Sequence, residues 1–285
     1  MKKSKWLLLP LALVIILSVT IVGCSESTTT TPTSSSPATT TSSGISGELT
    51  FAGSTTVQPV AQALADAFVM MYPDVSISVS GGGSSVGVTS CAEGTVDIGM
   101  ASRELSTEEE EMVTPTVIAR DGIGIAVHPS QTVTGITMAQ IRDVFSGAIT
   151  NWSELGGADE QITVVAREEG SGTRGAFEEI VMGDEMITAT AILQSSNGAL
   201  RTTVSSDPNA IGFLSMGYLD TSVKFLSVDG VEATPVNAGS GAYPVVRPLN
   251  LLTKEAPAGL IKTFIDFALS SDGQAIIAED YIPVN

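Results

Sequence analysis

From Gly47 onward, short apolar runs with strand spacing alternate with longer runs of helical spacing, and that alternation limits the chain to few folds. Residues 48–53 read as a strand. Residues 59–71 read as a helix, with Val60, Leu64, Ala67, Phe68 and Met71 on one face and Pro59 in the first turn. Val75, Ile77 and Val79 alternate with polar residues, which predicts a second strand. A helix is expected after Gly83, a short buried strand over 96–101, and an acidic helix from Ser106, where Ser106 and Glu109 have capping-box spacing. Strands at 123–127 and 162–166 follow, with helices at 137–145, from about Ser171, and at 261–269. Strands alternating with helices predict an α/β fold of parallel sheets with helices on both faces.

No internal repeat and no long linker divides this region. Two domains would therefore be joined by short extended crossings. The strand-like segments 122–127 and 243–248, flanked by Gly or Pro, are the candidates. This predicts one doubly wound α/β domain from 45–123 plus 245–285 and a second from 124–244, with a two-strand hinge and a ligand in the cleft between them.

The first 44 residues follow other rules. Lys2, Lys3 and Lys5 precede an apolar run over 6–22 and then Gly23-Cys24. A basic start, an apolar stretch and a small residue before the cut predict a signal peptide over 1–23. Cys24 would become the lipidated first residue, anchoring the protein on the outer side of the cell membrane; a retained membrane helix is the alternative. Residues 24–44 are nearly all Ser, Thr and Pro after the cysteine, with nothing to bury, and are expected to form a tether.

With Cys24 used, Cys91 has no partner for a disulfide, and its bland reading is a buried inert thiol. One Cys and one His, His128, do not make a zinc site, and no cofactor is expected. The formal charge is −18, which excludes nucleic acid and anionic membrane surfaces as partners that need a basic footprint. It does not exclude an anionic ligand, because surface charge is screened beyond about 10 Å.

Three predicted strand-to-helix junctions are rich in Gly, Ser and Thr: Gly53-Ser54-Thr55-Thr56, Gly81-Gly82-Gly83-Ser84-Ser85, and Arg167 through Gly170-Ser171-Gly172-Thr173-Arg174. Unpartnered N–H groups and the dipole at a helix start favour negative charge. Glycine allows close approach, hydroxyls add donors without counter-charge, and a guanidinium fork suits a tetrahedral oxyanion. A simple N-cap is the competing reading of each Ser or Thr. Three such junctions in one α/β chain point to a small oxyanion at the strand ends. No Gly-Lys pair exists, so a nucleotide P-loop is excluded.

The segments Ala52-Gly-Ser-Thr-Thr56, Gly81-Gly-Gly-Ser-Ser85, Asp97-Ile-Gly-Met-Ala-Ser-Arg-Glu104, Phe145-Ser-Gly-Ala-Ile-Thr-Asn-Trp152, Arg167-Glu-Glu-Gly-Ser-Gly-Thr-Arg174 and Ala210-Ile-Gly-Phe213 resemble, in order and spacing, the phosphate-binding proteins of the Pst importer, of the type II periplasmic binding fold. The resemblance covers Gly47 to the C-terminus. It implies high-affinity capture of inorganic phosphate, no catalysis, a monomer, and delivery to the membrane permease of an ABC importer. It places ligand contacts on Thr55 with Ser54 and Thr56 beside it, on Ser84, on Arg167, and on Ser171, Gly172 and Thr173. Ser102 is a further hydroxyl beside them. In the best-known members an Asp after the Ala-Ser pair accepts the phosphate proton; here that position is Arg103, which is expected either to contact the anion or to pair with Glu168 or Glu169. Binding of sulfate, molybdate or tungstate is the nearest alternative function. A secreted serine hydrolase is the distant one, since the sole histidine, His128, precedes Pro129 at a strand end. Trp152 is read as a packing residue rather than a partner contact.

Overall fold

The computed structural model describes residues 44–285; the predicted leader, Cys24 and all but the last residue of the tether lie outside them. The chain runs β1 (Gly47–Gly53), α1 (Val57–Met71), β2 (Val75–Ser80), α2 (Ser84–Glu93), β3 (Ile98–Ala101), α3 (Thr107–Glu110) and β4 (Thr114–Val127). It continues through β5 (Gly135–Ile136), α4 (Met138–Ser146), β6 (Thr163–Arg167), α5 (Gly172–Phe177), β7 (Ile192–Gln194), α6 (Asn197–Ser206), β8 (Ala210–Ser215) and β9 (Lys224–Val228). It closes with α7 (Pro235–Gly239), β10 (Val246–Thr253), α8 (Gly259–Leu269), α9 (Ser271–Ile277) and β11 (Ile282–Pro283).

The local signals explain most of these elements. Helix α1 buries Val57, Val60, Ala61, Leu64, Ala65 and Phe68 on one face. The capping box at Ser106 and Glu109 forms, and Thr137 and Gln140 make a second one at α4. Helix α5 is only six residues long and widens into a π-turn over Glu178–Met182. Among the described residues, no helix is long and apolar enough to cross a membrane.

The sheet differs from the expected all-parallel pattern. Strand order is β2-β1-β3-β10-β4-β8-β6-β7. The outer pairs β1 with β2 and β3, and β6 with β7 and β8, are parallel. The central pairs β10 with β3 and β4, and β4 with β8, are antiparallel. The physical reason is that β4 is one 14-residue strand rather than the short 123–127 segment expected. Its first part pairs with β10, down to Gly122 opposite Val246; its last five residues pair with β8. Strand β10 comes back along β4 only after the whole of residues 128–245, and the two run in opposite directions.

Two main cores form on either side of this crossing. One contains Leu49, Phe51, Leu64, Phe68, Ile98, Ile118, Leu249 and Phe264. The other contains Ile123, Ile125, Phe145, Trp152, Phe177, Phe213 and Val245. In the second, Phe177 stacks on Phe213 with centroids 4.0 Å apart, and Phe145 meets Phe177 edge-on at 4.8 Å. Truncating such a ring to alanine costs about 3–5 kcal/mol. Trp152 is fully buried there and donates Nε1–H to the Asn209 carbonyl at 3.0 Å, which makes it a packing residue. Cys91 is buried too, its thiol pKa raised by burial.

Candidate functional site

The ends of β1, β2 and β6 carry the three donor-rich junctions to one place, where Ser102 at the end of β3 joins them. Gly53 has φ +136°, and a Cβ there would overlap the Met100 carbonyl, so only glycine lets the first loop lie against β3. Ser54 then caps α1, its Oγ accepting from the amides of Thr56 at 3.1 Å and Val57 at 3.3 Å. The same hydroxyl donates to Ser102 Oγ at 2.8 Å. Ser84, the first residue of α2, is fully buried and accepts from the Ser102 amide at 3.0 Å. At the third junction Ser171 caps α5 through the Arg174 amide, at 3.3 Å, and the Ser171 carbonyl takes the Gly175 amide. The amides of Gly172 and Thr173 precede any intrahelical acceptor.

These groups meet from both sides of the strand crossing. A Cβ on Gly172 would overlap Ser84 Oγ and crowd Ser102 Oγ, so glycine is required where α5 begins. The Ser85 amide donates to the Gly170 carbonyl at 3.1 Å. Thr56 Oγ1 lies 3.2 Å from Thr173 Oγ1 and accepts from Asn197 Nδ2 at 2.7 Å and Arg247 Nη2 at 3.0 Å. With both lone pairs of Thr56 engaged, its proton points to Thr173.

Arg167 lies at the end of β6 and is 1% exposed. Its Nε donates to the Gln194 carbonyl at 3.1 Å, and its Nη2 to the Ser195 carbonyl at 2.9 Å and Thr55 Oγ1 at 3.4 Å. Its Nη1 is buried without any partner, the sole such side-chain nitrogen or oxygen among the described residues. Burial, then the neighbouring Arg247 charge, push the Arg167 pKa down to about 10. An unpaired buried donor on an uncompensated cation is costly, and it marks a place for an anion.

Arg103 turns elsewhere. Its guanidinium forks onto Glu109 at 2.6 and 2.7 Å, and Nη1 also reaches the Glu104 carbonyl at 2.9 Å. The expected partner, Glu168 or Glu169, is therefore corrected to Glu109, six residues along. That bond holds the Glu109 pKa below the usual carboxylate range.

Sequence reasoning missed two charged residues in the crossing strands. Asp121 of β4 and Arg247 of β10 are cross-strand partners, 1% and 2% exposed. Arg247 Nη2 and Nε reach Asp121 Oδ2 at 2.8 and 3.1 Å, and Ser215 Oγ donates to Oδ1 at 2.9 Å. Arg247 Nη1 donates to the Ser102 carbonyl at 3.0 Å. Burial raises the Asp121 pKa while Arg247 opposes the shift. The signal was a charge in an apolar crossing: Asp121, next to Arg120, before Gly122-Ile-Gly-Ile125, and Arg247 in Tyr243-Pro-Val-Val-Arg-Pro248. Asn197, Tyr218 and Tyr281, which also hold the first loop, lacked any local signal.

The arrangement offers donors to an anion and no nucleophile–base pair. Gly83-Ser84-Ser85-Val86-Gly87 has the spacing of a hydrolase nucleophile turn, yet His128 Nδ1 is bonded to Ser130 Oγ at 2.7 Å. A surface depression of about 760 Å³ beside Thr134, Leu219 and Phe225 is lined by none of the junction residues.

Comparison with known proteins places this geometry. A model described as a PBP superfamily domain matches residues 38–272. The phosphate-binding protein PstS of Bacillus subtilis is 37% identical over 84% of this chain and 81% of its own length. A Clostridium perfringens structure with bound phosphate, assigned to phosphate ABC transporter substrate-binding proteins, is 44% identical, with TM-score 0.81 over 84% of this chain and all of its own. An ABC-type phosphate transport receptor from Vibrio cholerae is 34% identical, with TM-score 0.70 over 82% of this chain and 99% of its own.

Proposed function

Because this chain belongs to the PBP superfamily and, within it, to the phosphate-binding proteins named PstS, we propose that it binds inorganic phosphate outside the cytoplasm for delivery to an ABC importer. Its fold is the type II periplasmic binding fold of those relatives. The observation that carries the reading is the orphaned, buried Nη1 of Arg167 at the meeting point of three helix starts.

The ligand set we assign is the hydroxyls and amides of Ser54, Thr55, Thr56, Ser84, Ser102, Ser171, Gly172 and Thr173, with Arg167 as the charged clamp. Ser54 and Ser171 act mainly as caps, since their oxygens already hold helix amides. Arg103 is a structural pair with Glu109 rather than a ligand. Binding proceeds without turnover, because the sole histidine, His128, is bonded to Ser130 and not to a serine of the three junctions. We take residues 45–123 with 245–285 as one domain and 124–244 as the other. The main cores support this division, since one draws its buried members from 49–119 and 249–281 and the other from 123–245.

Bonds from Thr55 and Thr56 to Arg167, Thr173 and Asn197 join the two sides, as in a closed form. A ligand contacting both sides favours that form by its differential affinity. A lipid on Cys24 and a Ser/Thr tether would keep a monomer near its permease; both lie outside the described residues. The test is thermal: phosphate added to anion-stripped protein should raise the melting temperature by mass action, by about 2.7 kcal/mol of stability at 100 times Kd. An unmoved melting curve at saturating phosphate overturns the reading.

A further inference from the structure

We propose that Tyr218 is a positioning residue that slows phosphate release by latching the first junction loop across the closed cleft. The inference rests on the phosphate-binding, two-domain reading above. Tyr218 ends the turn Met216–Tyr218 that follows β8, and it packs against a smaller cluster of Ala126, Val165, Leu200 and Leu214, all within 124–244. Its hydroxyl donates to the Thr55 carbonyl at 2.6 Å, across to the first core's side. The phenol is aimed by its own domain: the Arg201 guanidinium lies 5.9 Å over its ring, donates to the Tyr218 carbonyl at 3.1 Å, and pairs with Asp220 at 3.0 Å. The latch is therefore oriented before it engages.

Tyr281 supplies an internal contrast. Its hydroxyl donates to the next carbonyl, Thr56, at 2.9 Å, but its ring belongs to the first core. The two phenols hold two consecutive carbonyls of one anion-binding loop, one from each domain. Separation of the domains breaks the Tyr218 bond and keeps the Tyr281 bond. The Tyr218 hydroxyl is thus engaged in the closed form alone, and it bonds the backbone, leaving the side-chain donors free for the ligand. A contact made only after closure retards opening and leaves encounter untouched.

Stopped-flow capture and release of inorganic phosphate by the full-length protein and its Tyr218→Phe variant tests this. Loss of one neutral hydrogen bond in the closed form should speed release about fivefold, with the capture rate constant and the anion-free melting temperature unchanged. Tyr281→Phe, whose bond is made in both forms, should instead lower the anion-free melting temperature. Release from Tyr218→Phe at the wild-type rate, or a loss expressed as slower capture, overturns the latch while the phosphate reading stands. Wild-type protein that captures no phosphate overturns both.

Discussion

Two buried arginines face the same loop and are treated oppositely. Arg247 has all its nitrogens engaged, on Asp121, Thr56 and Ser102, and a carboxylate beside it. Arg167 has no carboxylate, spends Nε and Nη2 on carbonyls and one long hydroxyl contact, and leaves Nη1 with nothing. Both sit at strand ends near the crossing, so burial alone does not separate them. What separates them is completion. Arg247 is finished by the protein and contacts the Thr56 and Ser102 hydroxyls; Arg167 is left unfinished, which is where the proposed phosphate would bind.

The largest effect that could break this contrast is on stability. Asp121→Ala strands a buried Arg247, which should cost about 3–5 kcal/mol in urea unfolding. A loss near zero would mean that Arg247 is no better satisfied than Arg167. Next is Arg167→Ala, which should cost about 2–5 kcal/mol of phosphate binding in calorimetry. The anion-free variant should be no less stable than wild type, because the substitution removes an unsatisfied charge. Thr173→Ala removes one neutral donor from a redundant set and should cost about 1 kcal/mol of binding. Equal losses for Arg167→Ala and Thr173→Ala would erase the distinction between clamp and cradle.

The smallest effect is in pH. Free Arg167 loses its proton near pH 10, while a bound anion favours the charged form. Proton uptake then accompanies binding only above that value, so affinity should hold or rise from about pH 6 to 8 and fall beyond about pH 10. A steep fall between pH 6 and 8 would instead reveal a carboxylate accepting the phosphate proton, with Asp121 the first to substitute.

The legible parts of the site were those whose chemistry is local. A Gly/Ser/Thr cluster after a strand and before a helix is visible in five residues, and all three such clusters meet. The Gly- and Pro-flanked crossings were visible for the same reason. The pairing of Asp121 with Arg247 spans 126 positions, and Asn197 reaches Thr56 across 141, so no window contains either. Arg103 misled in another way. Glu109 has capping-box spacing from Ser106, and its one carboxylate serves both the cap and the guanidinium. Strand direction failed because helix alternation reports crossovers, whereas the return of β10 along β4 is a long-range event.

The central claim is that phosphate completes Arg167. A crystal structure of the phosphate-loaded protein tests it most directly. The account predicts a phosphate oxygen within about 3.2 Å of Arg167 Nη1, with Thr173 and Gly172 amides on the same ion and Arg103 still on Glu109. Phosphate held by Arg103, or bound anywhere with Nη1 still unpartnered, would contradict it.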